Sequence, residues 1–100
     1  MSLYLAEFMV DLSTKEKRTA IFDNFAEVVK NGGTPNARLI GGPWASLEKQ
    51  SFFAVVDIPD MKQIMGETFG FVIAGLLVEQ RLQPIASWED TVSMANQVDG

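Results

Sequence analysis

Twice along this chain an almost unbroken apolar stretch of strand length leads into an amphipathic helix and then a second extended stretch. That repeated order limits the fold more than any single residue does. Leu3 to Val10 carries one charge, Glu7, and Ser51 to Ile58 contains the run Phe52-Phe53-Ala54-Val55-Val56. Strands apolar on both faces belong in the middle of a sheet. The partner stretches differ. Ala37 to Leu47 is broken by Gly41-Gly42-Pro43, and proline cannot donate to a ladder, so this strand belongs at an edge or carries a bulge. A fourth strand is expected from about Val78 to Ala86.

The helices between them follow from spacing and end signals. Ser13, with Glu16 three residues on, has the form of a capping box. Ala20, Ile21, Phe25, Val28 and Val29 recur at helical spacing. Asn31-Gly32-Gly33 stops that helix, because glycine adopts the left-handed conformation at little cost. Pro59 suits the first position of a second helix, with Asp60 in its first turn and Met61, Ile64, Met65 and Phe69 on one face. Residues 71–77 fit a helical turn or extended chain equally well. Ser87 with Asp90 opens a short terminal helix at about 88–98, lined by Trp88, Val92 and Ala95.

Two split strand-helix-strand units in residues 1–100 make one α+β domain of ferredoxin-like βαββαβ type. Counting strands in chain order, its antiparallel four-stranded sheet has the order 4-1-3-2, and right-handed crossovers put both helices on one face. The first strand shows Tyr4, Ala6, Phe8 and Val10 to one side and Leu3, Leu5, Glu7 and Met9 to the other. If the first set meets the helices, the second lies on a bare face, joined by Phe53 and Val55 or by Phe52 and Val56. Soluble monomers rarely leave such a patch in water. Covering four such side chains contributes about 1.5–3 kcal/mol each. A homodimer closed over this face by two-fold symmetry is expected, with the terminal helix as a clasp on the partner.

Composition narrows the chemistry. The chain has no His and no Cys, which removes disulfides, thiol nucleophiles, the usual zinc sites and Ser-His or Cys-His catalysis. Eight basic against thirteen acidic residues leave a net charge of −5, and phosphate backbones are bound by Lys and Arg. The basic cluster Lys15, Lys17 and Arg18 is interrupted by Glu16, so nucleic acid is not expected as a partner. The longest apolar run, Phe71 to Val78, falls far short of the roughly 20 residues that span a bilayer. No basic n-region precedes an apolar leader, so a soluble, cytoplasmic protein without membrane contact is expected. No carboxylate cluster suggests a metal, Gly41-Gly42 lacks the spacing of a phosphate loop, and no cofactor is expected.

Four segments carry a resemblance. The opening Leu3-Tyr4-Leu5-Ala6-Glu7-Phe8, the turn Gly41-Gly42-Pro43-Trp44, the strand Phe53-Ala54-Val55-Val56-Asp57 and the closing Glu79-Gln80-Arg81-Leu82-Gln83-Pro84-Ile85 are similar to the dimeric α+β-barrel superfamily. Muconolactone isomerase-like proteins and a family of uncharacterised small stand-alone barrels belong to it, and the likeness spans Leu3 to Trp88 as a pattern of elements. The resemblance implies a dimeric barrel with an internal cavity and, among its chemistries, cofactor-free isomerases and monooxygenases. Fold likeness alone selects no reaction.

The residues themselves nominate a site. Glu7, facing the bare side of a central strand, is a candidate base, because a partly desolvated carboxylate suits proton transfer. Arg81, two residues from Glu79 on the neighbouring strand, is the candidate partner that steadies an enolate. Equally, Glu7 serves a structural pair with Arg81 or Arg38, or reaches solvent. Trp44 and Tyr4 offer an aromatic wall for a flat ligand, and Arg38 and Glu79 offer polar contacts to it; each also suits a core, interface or surface role. Asp57 suits support of the second helix. The expected function is binding of a small hydrophobic or aromatic organic molecule in a barrel cavity, with catalysis by Glu7 and Arg81; the alternative is a non-catalytic dimeric interaction or regulatory module.

Overall fold

The computed structural model of the protein describes residues 2–99. In chain order its elements are β1 (Leu3–Val10), α1 (Lys15–Asn31), β2 (Gly33–Thr34), β3 (Ala37–Ala45), β4 (Ser51–Asp57), α2 (Met61–Ile73), β5 (Leu77–Pro84) and α3 (Trp88–Asp99). The strands form one antiparallel sheet in the order β2-β3-β4-β1-β5. The two most apolar strands, β1 and β4, are neighbours in its middle. The four expected strands take the expected order, and the arrangement is compatible with a ferredoxin-like fold.

The sheet has five strands rather than four. The added β2 is two residues long and returns through Pro35-Asn36 to pair Gly33 with Arg38 and Thr34 with Ala37. Only glycine fits at position 33: its φ is +135°, and a Cβ there would collide with the Ala37 carbonyl oxygen. Strand β3 ends at Ala45 instead of Leu47, because the Ser46 hydroxyl accepts from the Glu48 and Lys49 N–H groups at 3.1 and 3.3 Å and turns the chain. The bulge expected near Gly41-Gly42-Pro43 is present as two register shifts against β4, and the Gly42-Pro43 peptide is cis.

Helix ends depart from expectation by one or two residues. Thr14, not Ser13, caps α1: its hydroxyl accepts from the Lys17 N–H at 3.1 Å. Ser13 is occupied otherwise, its N–H donating to Asp11 at 2.9 Å. Gly32, at φ +73°, closes α1 in the left-handed conformation. Asp60 is the N-cap of α2, accepting from the Lys62 N–H at 3.0 Å, so Pro59 lies outside that helix. Residues 71–73 are helical; Gly75 at φ +74° then releases the chain into β5. The Asp90 N–H donates to Ser87 Oγ at 3.1 Å, as the sequence pattern predicts for the start of α3.

Side-chain alternation divides the sheet into two unlike faces. Ala6, Val10, Ala54, Val56 and Ile58 are buried together with Ile21 of α1 and Ile64 of α2, so both helices cover one face. Phe8, Phe25, Phe22 and Phe52 extend this layer through ring contacts with centroids 5.0–6.3 Å apart. The other face presents Leu3, Leu5, Glu7 and Met9 beside Phe53 and Val55, with no helix or strand of the described residues packed over it. Every described side chain of α3 is exposed, Trp88 to 79%. The chain is accordingly elongated, 56 × 29 × 23 Å.

The entry into α1 carries a titratable anchor. The Lys17 ammonium, then the Ser13 hydroxyl and N–H, hold the Asp11 carboxyl well below the usual carboxylate range. A carboxyl depressed in the folded state stabilises it above its unfolded value, here 3.8, and that contribution is lost as pH falls toward the folded value. Thermal melts should therefore show Asp11→Asn less stable than the parent at pH 7, with the gap closing steadily below about pH 4. A gap that persists unchanged at pH 2 would contradict this assignment.

Candidate functional site

Between the helices and the sheet lies a cavity of about 570 Å³. Its origin is local. Ala6 and Ala54 sit opposite each other at the centre of the two middle strands, and Ala37 joins them from β3. All three are buried and face the helices. A methyl group at each position fills little of the roughly 10 Å between packed layers. The helices rest instead on larger groups at the margins: Phe25 and Val28 from α1, Ile64 and Phe71 from α2. Protein interiors normally leave few voids larger than a water molecule. This one matches the size of small-molecule sites, about 300–1,000 Å³.

The cavity is apolar with a polar end. Glu67, on α2, has Oε1 accepting from Asn36 Nδ2 at 2.7 Å and Oε2 accepting from Thr34 Oγ1 at 3.1 Å. These bonds fasten the β2–β3 turn to α2. On the β5 side, Thr68 is hydrogen-bonded to Gln80 and to the Ile64 carbonyl. Among the described residues Glu67 is the only charged one that lines the cavity.

The residues nominated by sequence lie elsewhere. On the bare face, Trp44 pairs with Phe53, Phe53 with Glu7, and Glu7 with Arg81, so four side chains form one row across β3, β4, β1 and β5. Register thus brings Glu7, Arg81 and Trp44 onto the same face. It does not bring Arg81 to Glu7 as an ion pair. Arg81 Nε donates to Glu79 at 3.1 Å, and Lys49 Nζ lies 3.3 Å from Glu7 Oε2. Lys49 comes from the turn after β3, a segment that reads in sequence only as a polar connection. It shields a carboxylate that is 13% exposed. Arg38 faces Asp57 at 3.9 Å, and Asp57 also accepts from the Ser2 N–H at 3.0 Å, serving the chain start and not α2. Tyr4 is on the opposite, helix-covered side, packed against the core, so it shares no wall with Trp44.

Neither Glu7 nor any other nominated residue lines the cavity. The cavity's signal in the sequence is the set of alanines at helix-facing positions of three separate strands. Among the described residues no group of three or more Asp or Glu side chains is placed to hold a metal ion, and no helix is long and apolar enough to cross a membrane. No protein-family profile matches the chain, and no curated protein matches it significantly.

A double-mutant cycle on Glu7→Gln and Lys49→Met, read by urea denaturation, should return a coupling of about 0.5–1 kcal/mol, the upper part of the range for accessible pairs. A coupling indistinguishable from zero would show that Lys49 does not hold Glu7 in solution.

Proposed function

We propose that this protein is a small homodimer, of dimeric α+β-barrel type, in which each subunit binds a small hydrophobic or aromatic organic molecule. The cavity under the helices carries this reading: it is largely apolar, of ligand size, and lined by residues of α1, α2 and all five strands. The apolar molecule is held by contact with the cavity walls, and the polar end fixes its orientation. This location differs from the barrel interior nominated by sequence.

Dimerisation is supported by the bare sheet face, where Leu5 and Val55 are direct neighbours, and by α3. Trp88, Val92, Met94 and Val98 are all exposed on that helix. Stacking two copies face to face buries the Trp44–Phe53–Glu7–Arg81 row of each against its equivalent. Catalysis by Glu7 and Arg81, as in a cofactor-free isomerase or monooxygenase, requires that a second ligand space open between those rows. The Lys49–Glu7 pair favours the other reading, a non-catalytic interaction or regulatory module, because the ammonium 3.3 Å from Glu7 Oε2 occupies the side of the carboxylate that a substrate would have to reach.

Native mass spectrometry of the purified protein tests ligand and assembly together. The expected spectrum shows two subunits and a retained small molecule per subunit. Val55→Asp, which sets a charge in the middle of the bare face, should shift sedimentation to the single subunit at micromolar concentration. Monomeric parent protein would reject the dimer, and failure to retain any apolar compound would reject the binding role. Conversion of a bound compound, lost on Glu7→Gln with the dimer intact, would reinstate catalysis.

A further inference from the structure

Resting on the binding role proposed above, we infer that the cavity selects a cationic amphiphile: an apolar or aromatic body bearing a protonated amine, seated with the ammonium on Glu67. The inference rests on what surrounds that carboxylate. Each Glu67 oxygen accepts one hydrogen bond from the protein, from Asn36 and from Thr34. An ionised carboxylate has about four acceptor sites, so the two neutral donors leave roughly half its capacity unused. No Lys or Arg among the described residues forms an ion pair with it, whereas Asp11, Asp57, Glu7 and Glu79 each have one. Glu67 is thus a carboxylate without an ion pair that also borders the cavity.

Neighbouring groups sharpen the selection. Apart from Glu67, the cavity's polar lining consists of neutral side chains such as Thr34, Thr68 and Gln80, and no cation is available there for a ligand carboxylate. An anionic head would meet like charge in a partly desolvated space, which is strongly unfavourable. The protein's net charge of −5 adds a field of the same sign. An ammonium meets the reverse situation, with a charge-assisted hydrogen bond to Glu67 and an apolar body over Ala6 and Ala54.

Three probes share one body and differ only at the head: 2-(1-naphthyl)ethylamine, 2-(1-naphthyl)ethanol and 1-naphthylacetate. Calorimetric titration of the full chain at pH 7 should rank the amine at least about tenfold tighter than the alcohol, with the acid weakest. Glu67→Gln keeps an acceptor for Asn36 but removes the charge; it should bring the amine to within about twofold of the alcohol while leaving alcohol binding nearly unchanged. Ala54→Leu, or Ala6→Leu should the first fold poorly, should weaken all three probes by occupying the floor. Equal binding of the three heads, blocked by the floor variants, would overturn the amine assignment and leave the binding role standing. An amine preference that survives Glu67→Gln would also overturn it. Binding by none of the three, in the parent or either variant, would remove the binding role and this inference with it.

Discussion

Strand β1 is the constraint on which the molecule depends. It is hydrogen-bonded along both edges, to β4 and to β5, and its residues alternate between two faces with opposite fates. Ala6 faces the helices and makes room; Glu7, the next residue, faces outward into an aromatic and charged row. A slip of one residue in either pairing would exchange those faces. Cavity and bare face are therefore two consequences of a single register.

The central strands and their order were legible because continuous apolar character identifies strands covered on both sides. The parity of β1 enters the sequence reading as a condition, that Tyr4, Ala6 and Phe8 meet the helices, and the structure meets that condition. The details that escaped are those in which neighbours compete for one role. Ser13 and Thr14 are chemically similar caps, and Asp11 decides between them by engaging Ser13. Strand β2 is too short for any periodicity to register. Lys49 lies in a turn whose direction is decided by Ser46, so its reach to Glu7 depends on a local bend with no pattern. The cavity was the largest omission. Ala6, Ala37 and Ala54 each read as ordinary apolar residues, and the missing volume exists only when three strands distant in sequence are set side by side.

Charge is distributed with the same division. On the outer face, Arg38, Lys49 and Arg81 each sit by a carboxylate. On the helix side, Glu67 instead receives neutral donors from a turn that would otherwise be loosely attached. That choice ties β2 to α2 and leaves a negative end to an otherwise oily chamber. Structural fastening and the proposed ligand discrimination thus draw on one side chain.

Helix α3 stands apart from all of this. None of its described residues lines the cavity, yet it displays some of the most exposed apolar groups of the chain. The short link at Ile85, Ala86 and Ser87 is its attachment. Changes in this appendage therefore alter what the chain offers to its surroundings and leave the chamber under the helices as it is.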